Sequence, residues 1–287
     1  MKRPPNLHSE IRARFIALQA DALPLQKPLL VLEELHEGAL LKVLFDCSLA
    51  ICVKNFLKKE VAHQIADKFL KASESAGYEQ DETTEIEING KVLMQSGSNR
   101  RSPRYFENAL LMRRAIRKLL SPFVSPIDLM QAELDSVWRP GTQVLTLNGK
   151  KCHAGRQNCF RSGGEKLHQS GRAHLDFVHP KTARMTAELS MTSYLSTAAG
   201  GEVELWNISP DDNLYNAARE EGGSARVFRK KYLPPPDLVI RPEAGDLVIF
   251  NAAKLHHIRP VIADGASVSV SAFAGFFSAN EPLQIFS

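Results

Sequence analysis

The side chains best suited to bind a metal ion belong to His174, Asp176 and His256. His256 opens a short β-like run that follows the turn Gly245-Asp246 and an apolar stretch. His174 and Asp176 are two residues apart, so in an extended segment their side chains share one face. Two neutral imidazoles and one carboxylate that leave coordination positions open are the ligand set of a non-haem Fe(II) site. The sequence therefore predicts such a metal site.

The histidine-x-carboxylate spacing has little specificity by itself. His8-Ser9-Glu10 shows the same spacing at a predicted helix start. His168 and His179 also lie close enough in sequence to compete as ligands. Neither of these two is followed by a carboxylate two residues later, so we rank them below the first set.

Length and composition indicate an ordinary globular protein. The chain has 287 residues, with 44% hydrophobic and 24% charged residues and a formal net charge of +4. This length allows a sizeable core, and we expect a single domain over residues 1–287. No stripe of arginine and lysine interleaved with aromatic residues stands out, so we expect no nucleic-acid partner. The oligomeric state is left open.

The N-terminus and the cysteines indicate the cellular compartment in which the protein is expected. The first residues are not followed by the apolar run of a signal peptide, and no apolar stretch is long enough to span a bilayer. We therefore expect a cytoplasmic protein with no membrane partner. The four cysteines have neither zinc-knuckle spacing nor the density of a disulfide scaffold, so we expect reduced thiols.

Positive charge is concentrated between Lys150 and Arg184, together with several histidines. One interpretation is a solvated basic face. The other is a pocket that binds carboxylates. The sequence leaves both open.

The pattern of elements changes near residue 140. Before it, helical patterns dominate, and we expect a mainly helical buttress over residues 1–140. After it, short β-rich runs dominate, and we expect a catalytic core over residues 141–287 in an α+β fold. The predicted runs are 143–148, 187–196, 202–207, 237–241, 246–251, 256–262 and 267–277. The long segment 209–236 is rich in glycine and proline, which is typical of a lid.

The helices and one hairpin are predicted from caps and periodicity. Ser9 and Asn55 are predicted N-caps of helices that end near Leu18 and Ser75. Two further helices are predicted over 106–120 and from Ser125 onward. Asn89-Gly90 predicts a tight hairpin turn.

Five sequence patterns occur in an order that resembles the Fe(II)/2-oxoglutarate-dependent dioxygenase superfamily. They are His174-x-Asp176, Tyr194-Leu195, the Gly200-Gly201-Glu202 turn, Gly245-Asp246 and His256-x-Ile258-x-Pro260-Val261. The resemblance covers about residues 140–280. The helical first half is similar to that of the small-molecule hydroxylases and alkaloid halogenases of this group.

The resemblance implies a double-stranded β-helix, or jelly roll, with the metal at one open end. It implies that His174, Asp176 and His256 are both the catalytic residues and the metal ligands, and that His257 faces away from the metal. It implies Fe(II), 2-oxoglutarate and O2 as cofactors and co-substrates. The implied reaction couples decarboxylation of 2-oxoglutarate to hydroxylation of an unactivated C–H bond of a small molecule, such as an amino acid or a natural-product intermediate.

The resemblance also bears on the reaction outcome. Halogenases of the superfamily carry Gly or Ala in place of the carboxylate ligand, which makes room for chloride. Here Asp176 occupies that position. We therefore expect oxygen transfer or another oxidation, not chlorination. Desaturation, ring closure and an oxidation without 2-oxoglutarate remain alternatives, as does a jelly roll that binds a metal or ligand without turnover.

One departure from the family concerns the residue that binds the distal carboxylate of 2-oxoglutarate. Family members usually bind it with a basic residue on the last core strand, but Ser267 stands at that position and no Lys or Arg follows Arg259. We expect Arg161 to take this role, with Arg172, Arg184 and Arg259 as further candidates. Otherwise the co-substrate differs or the chemistry has been lost.

Overall fold

The structure is a computed structural model that describes residues 5–75, 103–161, 166–169, 184–209, 233–262 and 266–287. Its helices are α1 (Pro5–Ala20), α2 (Glu37–Leu44), α3 (Lys59–Ser75), α4 (Pro103–Leu120) and α5 (Pro126–Val137). Its strands through the middle of the chain are β1 (Leu29–Leu32), β2 (Ala50–Val53), β3 (Thr142–Val144), β4 (Thr146–Leu147), β5 (Lys150–Lys151), β6 (Arg156–Arg161) and β7 (Lys166–Gln169). The remaining strands are β8 (Ala187–Ser196), β9 (Val203–Leu205), β10 (Leu238–Ile240), β11 (Leu247–Asn251), β12 (Leu255–Ile258), β13 (Ala266–Phe276) and β14 (Leu283–Phe286).

The strands form one large and one small sheet that share a core. The large sheet has the order β1-β2-β11-β8-β13-β14-β3, and β6 also pairs with β13. The small sheet has the order β10-β9-β12-β7, and all its pairings are antiparallel. β4 and β5 form a separate hairpin. The mixed α+β architecture agrees with the expectation from sequence.

The central strand β11 alternates between two apolar environments. On β11, Leu247 and Ile249 belong to the core cluster that also contains residues of α2, α3, α4 and α5. Val248 and Phe250 belong to a second cluster, which contains Val203, Leu205 and Ile240 of the small sheet. One face of the large sheet therefore packs on helices, and the other, called the inner face here, packs on the small sheet.

Several predicted elements are confirmed. The run 187–196 coincides with β8, the run 246–251 begins one residue before β11, and the run 267–277 is shifted by one residue from β13. The helices predicted over 106–120 and from Ser125 correspond to α4 and α5, with Ser125 as N-cap. Among the described helices, none is both long and apolar enough to cross a membrane.

Two predicted caps are wrong. Ser9 lies inside α1, which already begins at Pro5, so its hydroxyl does not begin the helix. Asn55 adopts a left-handed φ of 54° in the turn after β2, and α3 begins only at Lys59. An N-cap needs extended backbone angles, which a residue in the left-handed region does not have.

Some expectations concern residues outside the described ranges, and the domain assignment stays a prediction. The Asn89-Gly90 hairpin and most of the predicted lid lie outside the described residues. The helical part ends with α5 at Val137, close to the expected boundary. β1 and β2, however, join the large sheet next to β11, so the first 140 residues also contribute strands to the core.

Candidate active site

A tight turn before β11 sets the position of the candidate site. Gly245 has a φ of +99°, and a Cβ at this residue would come within 2.3 Å of the Leu57 carbonyl oxygen, so only glycine fits without strain. The neighbouring Asp246 carboxylate is buried and accepts hydrogen bonds from Lys54 Nζ at 2.7 Å and from Glu243 N at 2.9 Å. The Gly-Asp pair therefore attaches β11 to the chain around β2.

The turn between β11 and β12 is stabilised by Asp46, which follows α2. Its carboxylate accepts a hydrogen bond from Asn251 Nδ2 at 3.2 Å and pairs with Lys254 Nζ at 3.2 Å. Asn251 Oδ1 in turn accepts from Ala253 N at 3.0 Å. These contacts fix both ends of the turn, and the turn determines where the Lys254 carbonyl lies.

His256 is buried on the inner side of β12. Its ring lies 4.9 Å from the ring of Phe250, centroid to centroid, and its register partner on β9 is Leu205 of the apolar core. His256 Nδ1 is 2.9 Å from the Lys254 carbonyl oxygen. A carbonyl can only accept, so Nδ1 carries the proton and Nε2 carries the lone pair.

Electrostatics keep this imidazole neutral. Burial is the main cause that lowers the pKa of His256, to about 4, and the nearby His257 lowers it further, although the hydrogen bond to Lys254 opposes both. A neutral ring with its lone pair on Nε2 and its Nδ1–H bound to a carbonyl is the form in which histidine binds a metal ion.

His257 occupies the opposite side of the same strand. It is 0% exposed, and its Nδ1 donates to Glu204 Oε2 at 2.8 Å. Glu204, itself 2% exposed, also accepts from Arg259 Nε at 2.8 Å through its other oxygen. We call His257, Glu204 and Arg259 the outer cluster. The strand phase that puts His256 inward therefore puts His257 into a charged hydrogen-bond network.

The inner face of the large sheet is polar next to this site. β13 presents Ser267, Ser269 and Ser271 there, because Val268 and Val270 belong to the helix-side core. On β6, Asn158 Nδ2 donates to Ser271 Oγ at 3.0 Å and lies 3.5 Å from Ser269 Oγ. Ser267 lies 3.4 Å from the Ser196 carbonyl oxygen, to which it donates.

Tyr194 continues this inner face on β8. It is the register partner of Ser269 and packs with Val248 and Phe250. Burial is the main cause that raises the pKa of Tyr194 above its usual range, with a further contribution from Cys52. The tyrosine therefore stays protonated.

The predicted metal ligands are described only in part. His174, Asp176 and the candidate Arg172 lie outside the described residues. His168, the competing histidine, lies on β7 directly opposite His256 in the backbone register. No group of three His, Cys, Asp or Glu side chains suited to a metal occurs within the described ranges. The predicted ligand set of His174, Asp176 and His256 remains a prediction.

The other predicted carboxylate-binding residues have different surroundings. Arg184 is largely exposed and lies 3.6 Å from a carboxylate oxygen of Glu281. Arg259 belongs to the outer cluster, on the side of β12 opposite His256. Arg161 ends β6 and pairs with Ala266 in the backbone register. These three assignments stay predictions.

Sequence reasoning did not single out Asp46, Asn158 or Glu204. Glu204 could have been found from the alternation Val203-Glu204-Leu205, which puts one carboxylate between two core residues. Asp46 lies 210 residues before His256, and no local signal connects them.

The segment that contains these strands matches a family model. The model of the 2OG-Fe(II) oxygenase superfamily matches residues 158–275, from within β6 to within β13. This segment is therefore similar to the 2OG-Fe(II) oxygenase superfamily. The match includes β7, β11 and β12, and so includes the positions of all three predicted metal ligands.

Several solved structures are similar to this chain, and the two with a TM-score above 0.5 share its fold. An N-substituted L-amino acid dioxygenase from Burkholderia ambifaria AMMD has 14% identity, covers 87% of this chain and 91% of its own, and has a TM-score of 0.51. The same dioxygenase in complex with alpha-KG gives 13% identity, coverage of 87% and 90%, and a TM-score of 0.53. HygX from Streptomyces hygroscopicus, with nickel and 2-oxoglutarate bound, gives 12% identity, coverage of 84% and 87%, and a TM-score of 0.45. No protein of curated function matches at the level of sequence.

Proposed function

We propose that this protein is a non-haem Fe(II), 2-oxoglutarate-dependent oxygenase that hydroxylates an unactivated C–H bond of a small molecule. The observation that carries the proposal is the environment of His256. Its ring is buried, its Nδ1–H is bound to the Lys254 carbonyl, and its lone pair is therefore on Nε2. This environment occurs inside a segment that is similar to the 2OG-Fe(II) oxygenase superfamily.

The strand order supports a jelly roll. Along the chain, β6, β8, β11 and β13 belong to the large sheet, whereas β7, β9, β10 and β12 belong to the small sheet. The chain therefore passes repeatedly between two facing sheets, and β6, β8, β11 and β13 pair antiparallel within the large one, which is the arrangement of a double-stranded β-helix. In this arrangement β12 brings His256 between the sheets, next to Phe250 of β11.

The chemistry of the donor set fits an Fe(II) ion. His256 would supply a neutral imidazole, and we propose His174 and Asp176 as the second imidazole and the carboxylate. The chain leaves β7 at Gln169, the register partner of Leu255, and reaches His174 five residues later. When bound, Fe(II) with 2-oxoglutarate and O2 supplies the oxidation of the C–H bond.

The protein itself supplies position, protonation state and exclusion of water. The Lys254 carbonyl holds the His256 proton on Nδ1. The outer cluster holds His257 away from the inner face, so the two adjacent histidines do not compete for the metal. Phe250, Val248 and Leu205 surround the inner side of β12 with apolar groups, which keep bulk water from the imidazole.

The first test is an anaerobic titration of the Fe(II)-loaded protein with 2-oxoglutarate. We expect the visible charge-transfer band of a chelated keto acid and, after oxygen is admitted, release of succinate. A protein that binds Fe(II) but gives no band would contradict the 2-oxoglutarate requirement. A band without succinate release would instead indicate a binding protein without turnover.

The outcome of the reaction is tested by product analysis once a substrate is found. Because Asp176 can occupy the coordination position that halogenases leave open, we expect an oxygenated product in chloride-rich buffer and the same product without chloride. Mass spectrometry distinguishes a hydroxylated product from a desaturated, cyclised or chlorinated one. A chlorinated product from the unmodified protein would overturn the role assigned to Asp176.

A further inference from the structure

The strand pairing next to His256 is interrupted by a bulge at Asn207. β9 and β12 pair in regular register up to His256. Beyond this pair, the Leu255 carbonyl accepts a hydrogen bond from Trp206 N at 3.0 Å, but Leu255 N donates to Ile208 O, also at 3.0 Å. In a regular antiparallel pair a single partner residue makes both of these bonds. The chain therefore bulges at Asn207, between the two residues that bond to Leu255.

The bulge sets the direction of the carbonyl group that holds the His256 proton. The Lys254 C=O and the Leu255 N–H belong to one planar trans peptide group, in which the two bonds point in opposite directions. The hydrogen bond from Leu255 N to Ile208 O therefore also fixes the direction of the Lys254 carbonyl oxygen. That oxygen lies 2.9 Å from His256 Nδ1. The position of Ile208 is thus coupled to the tautomer of the His256 ring.

Two groups from distant parts of the chain hold the bulge in place. Asn207 N donates to the Asp237 carboxylate, at 2.7 Å from Oδ2, instead of joining the β9–β12 ladder. Asn207 Nδ2 donates to the Leu23 carbonyl oxygen at 3.2 Å. The main chain of Asp237 is itself attached to β9, because its N–H donates to Leu205 O at 2.9 Å. Since Asn207 is buried, these bonds satisfy donors that have little access to water.

We propose that Asn207 and Asp237 are positioning residues for the candidate metal ligand His256. The Asp237 carboxylate holds the bulge, the bulge orients the peptide group before Leu255, and this peptide group keeps the His256 proton on Nδ1. Bulges beside functional sites commonly re-aim a side chain in this way. The inference rests on the proposed function, because it takes His256 Nε2 as the atom that binds Fe(II).

The first measurement uses the metal-free protein with isotope-labelled histidine. Long-range proton–nitrogen correlation spectra distinguish an imidazole protonated on Nδ1 from one protonated on Nε2. The signals of His256 are assigned by their absence in His256→Gln. We expect the Nδ1–H form in the unmodified protein, and the Nε2–H form would overturn the inference. Anaerobic titration with Fe(II) then gives the metal affinity of each variant without turnover.

The decisive pair of variants is at Asp237. Asp237→Ala removes the acceptor that holds the bulge, so His256 should change from the Nδ1–H form to a mixture of tautomers. The same change should weaken Fe(II) binding by about tenfold, at the lower end of the effects of residues that support a metal ligand. Asp237→Asn keeps an oxygen acceptor for Asn207 N, so it should restore the Nδ1–H form and bring Fe(II) affinity to within about threefold of the unmodified protein.

A second variant and a matched control come from the same region. Asn207→Ala keeps the backbone N–H that Asp237 accepts but removes the bond to the Leu23 carbonyl, so we expect a change in the same direction of only about threefold in Fe(II) affinity. Gln19→Ala is the control, because its amide donates to Pro235 O at 3.0 Å, close to Asp237, and this bond does not involve the bulge. It should change neither the tautomer nor the affinity. Thermal unfolding of the metal-free proteins checks the fold of each variant.

The outcomes separate this inference from the proposed function. If the unmodified protein does not bind Fe(II), both are overturned. If it binds Fe(II) and Asp237→Ala lowers only the thermal stability, with tautomer and affinity unchanged, the role is merely structural and only this inference is overturned. Effects of Gln19→Ala as large as those of Asp237→Ala would overturn it too, because a general loosening of the region would explain both. Loss of the Nδ1–H form and of Fe(II) affinity in Asp237→Ala, with both restored in Asp237→Asn, supports the inference.

Discussion

Two adjacent histidines on β12 have opposite environments. His256 lies against Phe250 and Leu205 on the inner side of the small sheet, and its Nδ1 is bound to a backbone carbonyl. His257 lies on the outer side, where it donates to a carboxylate that also binds Arg259. A shift of one residue in the strand register would exchange the two positions.

The comparison shows how a strand can give similar side chains different tasks. A carbonyl partner fixes the tautomer of His256 but adds no net charge, so the ring can still bind a cation. The carboxylate of Glu204 instead accepts hydrogen bonds from both His257 and Arg259, which hold His257 on the outer side. The outer cluster therefore stabilises β12, while the inner face is the side on which we propose that the metal ion binds. The following predictions test this division, from the largest expected effect to the smallest.

The largest effect is expected when the two histidines are removed one at a time. His256→Ala should lower Fe(II) affinity by more than about 100-fold, because loss of groups that only support a ligand already costs 10- to 100-fold. His257→Ala and His168→Ala should each change it by less than about tenfold. Anaerobic equilibrium titration with Fe(II) measures all three. If His257→Ala abolished binding and His256→Ala did not, the strand phase would be wrong.

The same titration tests the proposed ligands outside the described residues. His174→Ala and Asp176→Ala should each resemble His256→Ala, with the fold retained as judged by circular dichroism. Iron binding that is unaffected by Asp176→Ala would contradict the carboxylate ligand.

The second effect concerns stability instead of metal binding. Glu204→Ala should lower the free energy of unfolding by about 3–5 kcal/mol, because it leaves the buried partner of a charged pair uncompensated. Glu202→Ala is the matched control two residues away. Its carboxylate lies 3.6 Å from Arg241 and 4.0 Å from Arg259, both at least one-third exposed, so its loss should cost less than about 1 kcal/mol. Urea unfolding of the metal-free proteins measures both, and equal costs would contradict the special role of the outer cluster.

The smallest effect is expected at Asp46, which acts on His256 only through the turn before β12. Asp46→Ala removes the partner of Lys254 and Asn251 and should weaken Fe(II) binding by about tenfold or less, at the lower end of effects of supporting residues. Asp46→Asn keeps an acceptor and should lie closer to the unmodified protein. An effect as large as that of His256→Ala would mean that the turn collapses, which a loss of thermal stability would reveal.

Local patterns in the sequence were sufficient for much of the fold. Alternating or continuous apolar runs predicted β8, β11 and β13 nearly to the residue, since their central positions pack between layers. β6 was not predicted, because its sequence Arg-Gln-Asn-Cys-Phe-Arg is mostly polar and its inner phase faces serines. Ser9 and Asn55 misled the prediction of helix starts, because the residue types that favour N-caps are equally suited to helix interiors and to left-handed turns.

The sequence by itself determined the family resemblance, the β-rich second half and the choice of His256 over His257, because these depend on residue types and spacing within one segment. The tertiary structure decided which groups surround that histidine. Glu204 reaches His257 across a strand pair, Asp46 reaches Lys254 from the end of α2, and Asn158 donates to Ser271 from the neighbouring strand. Each of these contacts joins residues at least 50 positions apart, and only the register of paired strands and the packing of layers brings them together.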